Sequence, residues 1–168
     1  MRVAAVVLAA GDASRFGSPK QRVLLPRVIE RLYDAPVERI VVVEGAYELS
    51  ADNAQVVRCA DWERGPGASL RCGLAALGDD VDVAIVVLAD GPNLAPEAVE
   101  RVLDAWSTHG GVVAASYAGE RGHPLVLGRG DWGGVPDEGL RDRDVRLVPC
   151  DDLGAPGDVD TPEDLETV

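Results

Sequence analysis

Two glycines and two cations near the amino terminus carry the first chemical signal. In Leu8-Ala9-Ala10-Gly11-Asp12-Ala13-Ser14-Arg15-Phe16-Gly17-Ser18-Pro19-Lys20, five residues separate Gly11 from Gly17, and Lys20 lies three beyond. Glycine lets backbone N–H groups approach phosphate oxygens closely, and Arg15 and Lys20 supply countercharge, so the segment is built to hold a polyphosphate. The spacing is neither G-x-G-x-x-G nor the P-loop, which excludes the two commonest nucleotide motifs. Lys20 is also the one lysine among sixteen basic residues.

Charge distribution points the same way. The chain carries a formal charge of -13, which argues against nucleic acid as partner. Residues 1–30 nevertheless hold five bases (Arg2, Arg15, Lys20, Arg22, Arg27) against two acids, so an anion is expected there. Residues 131–168 hold twelve acids against Arg141, Arg143 and Arg146. Such a run serves as a solvated surface or supplies one or two carboxylates to a cation.

The elements that must position these groups follow from periodicity. The continuous apolar run at Val3–Ala9 predicts a strand buried on both faces, and 39–43, 83–89 and Val112–Tyr117, with a shorter candidate at Gln55–Arg58, predict further strands. Helical stripes at 22–33, 69–77 and Pro96–His109 alternate with them, and Ser69 suits a helix N-cap. This alternation predicts βαβ units and a mostly parallel sheet covered on both faces. In such a sheet ligands bind beyond the carboxyl ends of the strands, so the loop after strand one and the Asp90-Gly91-Pro92 turn should face one crevice. Asp90 read alone serves equally as a turn former. After Ala118 frequent glycines predict irregular structure, in which short strands at 124–127 and 146–148 can pair, followed by a brief helix from Thr161-Pro162.

A length of 168 residues predicts one domain over 1–168. Cys59, Cys72 and Cys150 have neither a CxxC pair nor a histidine cluster beside them, which predicts small buried fillers in a reduced, cytoplasmic protein without structural zinc. The apolar run at 3–10 is too short for a signal peptide or membrane span, so no membrane attachment is expected.

Leu8-Ala9-Ala10-Gly11 with Arg15, Gly17, Pro19 and Lys20 resembles the signature of MobA-like nucleotidyltransferases, and the molybdenum cofactor cytidylyltransferase branch is the nearer likeness. Further blocks resemble the family in order: Trp62-Glu63-Arg64-Gly65, Ser69-Leu70-Arg71-Cys72-Gly73-Leu74, Ala89-Asp90-Gly91-Pro92, Gly119 to Pro124, and Asp158-Val159-Asp160-Thr161-Pro162-Glu163-Asp164-Leu165.

The resemblance implies a Rossmann-like three-layer αβα sandwich of the nucleotide-diphospho-sugar transferase type. It implies that Leu8, Ala9, Ala10 and Gly11 wrap a donor triphosphate, CTP or GTP, and that Arg15 and Lys20 are catalytic. It also implies that Ser69 lies close to the nucleotide and that Asp90 and Asp160 bind Mg2+, with Asp158 the alternative to Asp160. Ala10 stands where guanylyltransferases tend to have glycine, which favours CMP transfer. His123 of Gly122-His123-Pro124 matches a motif near the acceptor, a phosphorylated small molecule such as molybdopterin.

Two departures stand out. Gln21-Arg22-Val23-Leu24-Leu25-Pro26 enters a helical pattern where the family usually has a hairpin, and Gly91 replaces a larger polar residue, commonly glutamine. The competing readings are a guanylyltransferase with another acceptor and a non-catalytic nucleotide-binding accessory protein. A dinucleotide-dependent oxidoreductase lacks its glycine fingerprint.

Overall fold

The structure is a computed structural model and describes residues 1–11 and 20–157. Its centre is strand β1 (Val3–Ala9), whose side chains are buried on both faces except for partly exposed Leu8. Beside it lie β2 (Arg39–Glu44) and β4 (Val83–Leu88), both parallel to it, with Ala5 opposite Ile40 on one side and Ile85 on the other. β3 (Gln55–Arg58) adds to β2, again parallel. Apolar runs that lack polar alternation need cover on both sides, and the helices supply it.

One layer consists of α1 (Lys20–Tyr33) and α3 (Pro96–His109). Leu25, Val28, Ile29 and Leu32 of α1 and Val99, Val102 and Leu103 of α3 pack on Val3, Ala5, Val7 and Ile85. The opposite layer is α2 (Pro66–Ala75) together with residues from the irregular stretch, where Leu70, Leu74, Val135 and Leu140 cover Ala4, Val6, Val41 and Val86. Alternation along the strands sends odd residues of β1 to one layer and even residues to the other. This is the expected three-layer αβα sandwich.

The second half departs from expectation in its pairing. The strands predicted at 124–127 and 146–148 do not pair with each other. β6 (Glu120–Gly128) lies between β4 and β5 (Val112–Tyr117), antiparallel to both, and β7 (Arg146–Pro149) joins the far edge of β5. Among the described residues the order is β3-β2-β1-β4-β6-β5-β7, with β6 the one reversed strand. Leu125, Val126 and Leu127 are buried, which demands an interior position, whereas half-exposed β7 suits an edge.

Local chemistry explains the helix limits. Pro96 occupies the first turn of α3, where its missing N–H costs nothing, and Gly110 at φ 68° ends the helix with its N–H on the Trp106 carbonyl. α1 runs through Pro26, which leaves the Arg22 carbonyl without its helical donor. Burial of Leu24, Leu25, Val28, Ile29 and Leu32 keeps the helix intact across that break.

Cys59, just after β3, is bonded to Cys72 of α2 in a disulfide, and Cys150 is a buried free thiol. The expectation of three reduced fillers therefore holds only for Cys150. The brief helix predicted from Thr161-Pro162 lies outside the described residues. No helix among the described residues is long and apolar enough to cross a membrane.

Candidate active site

Strand order reverses at β1. The chain passes from β1 outward to β2 and β3, then returns through α2 to β4 on the other side. Backbone diverging to either side of β1 and β4 opens a crevice beyond their carboxyl ends. The Ala89 N–H bonds the Leu8 carbonyl at 3.0 Å, which fixes the Asp90 turn beside the start of the glycine-rich segment.

Lys20 and Asp90 meet in this crevice. Lys20 opens α1, and its Nζ lies 3.3 Å from Asp90 Oδ2, with side-chain exposures of 10% and 23%. Two groups 70 positions apart in the chain thus form a partly desolvated ion pair where the sequence placed a cation and a carboxylate. Leu8 is partly exposed at the end of β1, Ala9 and Ala10 are buried, and Gly11 is exposed. The Ala10 carbonyl accepts the Ala46 N–H at 3.2 Å. A Cβ on Gly45 would stand 2.8 Å from that carbonyl and 2.5 Å from Trp62 Cγ, so only glycine lets the loop after β2 pack this closely. Arg15, Asp158 and Asp160 lie outside the described residues.

Gln21 was not singled out by its sequence. It is 5% exposed, and its Nε2 donates to the Gly11 carbonyl at 2.9 Å, so it ties the beginning of the glycine-rich segment to the helix that follows it. Its Oε1 is buried with no hydrogen-bond partner among the described residues. The available signal was its place on the core stripe with Leu24, Leu25 and Val28, where a polar residue requires a reason.

Ser69 does not cap α2. Gly65 is the N-cap and Pro66 the first helical residue, which puts Ser69 inside the helix and buries it. It lies one turn before Gly73, on the same face and toward the carboxyl ends of the strands. Gly73 touches the sheet so closely that a Cβ there would come within 2.5 Å of Val6.

The first turn of α2 is also already engaged. The Gly67 N–H donates to the Asp137 carbonyl at 2.8 Å, and the Asp137 carboxylate binds Arg71 and Arg64. Those arginines, Arg71 foremost, hold the Asp137 carboxyl below its ordinary range.

A cavity of about 400 Å³ opens beside the Asp90 turn at Gly91. Leu88, Gly91, Tyr117, Arg121, His123 and Pro156 are among its walls. The Tyr117 hydroxyl donates to the His123 carbonyl at 2.8 Å, and burial raises its pKa to about 12. Burial, followed by the nearby Arg121 charge, lowers the His123 pKa to about 4, so its imidazole is neutral at pH 7. The glycine at position 91 has a structural cause: a Cβ there would lie 3.0 Å from Pro156 Cβ. The Pro156 carbonyl accepts the Asn93 N–H at 2.9 Å, so residues 155–157 form a wall against the Asp90 turn.

The Asp90 carboxylate suits a hard divalent cation, because magnesium takes one or two protein carboxylates and completes its shell with water and phosphate oxygens. No group of three or more His, Cys, Asp or Glu forms a metal cluster among the described residues.

These features define an α/β protein with the nucleotide-diphospho-sugar transferase fold and a charged crevice at its topological switch point. The chain belongs to the MobA-like NTP transferase domain family, whose model matches residues 5–149, and is a nucleotidyltransferase of that type. No curated protein matches it in sequence.

Among solved structures, Rv0371c from Mycobacterium tuberculosis H37Rv is similar with a TM-score of 0.82 and 25% identity, covering 99% of this chain and 97% of that one. The manganese complex of Rv0371c gives a TM-score of 0.78 at 25% identity with the same coverage. CMP:2-keto-3-deoxy-manno-octonic acid synthetase in complex with CTP shares the fold, with a TM-score of 0.76 at 13% identity over 99% of this chain and 96% of that one.

Proposed function

We propose that this protein transfers a nucleoside monophosphate, with CMP favoured, from a nucleoside triphosphate to a phosphorylated small molecule such as molybdopterin cofactor, releasing pyrophosphate. The observation that carries this reading is the Lys20–Asp90 pair at the β1/β4 crevice. A cation for phosphates and a carboxylate for a metal stand there at hydrogen-bond distance, directly after a glycine-rich segment.

The acceptor phosphate oxygen attacks the donor α-phosphorus, the bond to the β-phosphate oxygen breaks, and pyrophosphate leaves with the electron pair. Such a reaction depends on alignment and on cancelling charge at the transferring phosphorus. In this reading Leu8, Ala9, Ala10 and Gly11 bring backbone to the phosphates, and Lys20 and Arg15 neutralise them. Ser69 lies on the nucleotide side. Asp90, with Asp160, would hold Mg2+, which when bound screens phosphate charge.

CMP is favoured because Ala10 resembles the cytidylyl branch. The likeness to a CTP-bound synthetase is in keeping with that choice. The cavity beside Gly91 offers room for a phosphorylated acceptor. Its walls are mostly aliphatic or glycine, its Arg121 can meet an anion, and the Tyr117 hydroxyl is already engaged. Residence in the cytoplasm belongs to this reading, where the donor triphosphates are found.

Pyrophosphate release tests it. The protein is incubated with CTP, GTP, ATP or UTP, Mg2+ and a panel of phosphorylated acceptors that includes molybdopterin. Acceptor-dependent release, fastest with CTP, is expected. GTP as the best donor would overturn the base assignment, and triphosphate binding without release for any acceptor would favour the non-catalytic alternative.

A further inference from the structure

Lys20 and Asp90 are each assigned a different partner in the proposed reaction, yet the structure pairs them with each other. Their atoms are 3.3 Å apart in a crevice that leaves only 10% and 23% of the two side chains exposed. A divalent cation on the Asp90 carboxylate would place two positive charges beside the ammonium, and like charges at such a distance repel strongly where water is partly excluded. The ammonium and the metal therefore compete for the same carboxylate.

We propose that Lys20 and the divalent metal are alternative partners of Asp90. Lys20 neutralises the carboxylate in the free protein and passes to the donor phosphates when the metal arrives, so metal and triphosphate bind as a coupled pair. The inference rests on the reading of Asp90 as a metal ligand. It also accounts for the residue type. Fifteen of the sixteen basic residues are arginine, and the exception stands here. A guanidinium would clamp a carboxylate through two parallel bonds, whereas an ammonium on a flexible four-carbon stem can exchange one anion for another.

The test is Mn2+ binding to the full chain without nucleotide, read from the electron paramagnetic resonance signal of the free hexaaqua ion. Lys20→Met should bind Mn2+ about tenfold more tightly than the wild type, and Lys20→Ala should behave likewise. Lys20→Arg should bind no more tightly than the wild type. Arg22→Met removes the same unit of charge from an exposed position of the same helix and should leave the affinity within about twofold, which separates direct competition from a general field.

Thermal melts establish that each variant is folded. Equal or weaker Mn2+ binding by Lys20→Met and Lys20→Ala, with binding still lost in Asp90→Asn, would overturn the exchange while leaving the metal site standing. Undiminished binding by Asp90→Asn would instead remove Asp90 from the metal site and the exchange with it.

Discussion

Gln21 Nε2 donates to the Gly11 carbonyl across a distance of 2.9 Å. This single bond joins the residue that opens the glycine-rich segment to the helix that closes it, and it leaves Oε1 of the same amide buried and unpaired among the described residues. A net hydrogen bond contributes about 1 kcal/mol, so the side chain matters less for global stability than for presetting where the segment begins and ends.

Gln21→Leu should therefore unfold within about 1 kcal/mol of the wild type in urea, while triphosphate affinity measured by calorimetry falls by about tenfold. Gln21→Glu, which puts a carboxylate against the Gly11 carbonyl, should bind triphosphate more weakly still. Unchanged affinity in both variants would show that the clasp plays no part in ligand binding.

Position 91 packs closely on the 155–157 segment. A Cβ on Gly91 would approach Pro156 Cβ to 3.0 Å, tighter than ordinary contact. Gly91→Gln, which installs the family's commoner residue, should displace residues 155–157 and cost about 2 kcal/mol of stability by urea denaturation. Because those residues wall the cavity, the same variant should raise KM for the acceptor more than KM for the triphosphate. Full stability together with an unaltered acceptor KM would show that the wall is not fixed by this contact.

The Cys59–Cys72 disulfide closes a loop with a sequence separation of 13. A cross-link over about 15 residues removes roughly 3 kcal/mol of unfolded-state entropy, so reduction or Cys72→Ser should lower stability by about that amount. Thiol titration of the denatured, unreduced protein should find the Cys150 thiol alone. Titration of all three cysteines before reduction would contradict the bond.

His123 gives the stability a defined dependence on pH. Its folded pKa is about 4 against an ordinary value of 6.5, so the unfolded chain binds a proton in this window that the folded chain refuses. Stability should fall as the pH drops from about 6.5 to about 4, by on the order of 3 kcal/mol at most, and the loss from this group should level off below that. His123→Gln should flatten the profile over the same window in pH-dependent urea melts. An identical slope in the variant would assign the dependence to groups other than His123.

Much of this architecture can be read in the sequence because β1 and β4 are apolar throughout and β5 is interrupted only by Ser116. Val3–Ala9 and Val112–Tyr117 match the predicted limits, as does α3, which proline begins and glycine ends. The first half of β6 was hidden because Glu120-Arg121-Gly122-His123 is polar, and its strand character comes from pairing with β5. The disulfide was equally hidden, since nothing local reveals that the end of β3 lies against α2.

At the site, Lys20 and Asp90 were legible as residues that follow two strands bound to share a crevice, and the structure brings them together. Gln21 was not, because one polar residue on an apolar stripe does not disclose that its partner is a carbonyl ten positions back. Ser69 misled as a cap because the true start, Gly65-Pro66, depends on the 135–139 segment packed against it: a Cβ on Gly67 would strike the Pro136 carbonyl oxygen at 1.6 Å.

The central claim is that Lys20 and Asp90 form the metal-triphosphate site of a nucleotidyltransferase, and calorimetric titration of CTP and GTP with Mg2+ tests it most directly. The wild type should bind at least one of these nucleotides, CTP more tightly, while Lys20→Ala and Asp90→Asn each weaken binding by about tenfold or more without loss of the folded state. Wild-type protein that binds neither nucleotide, or variants that bind as tightly as the wild type, would contradict it.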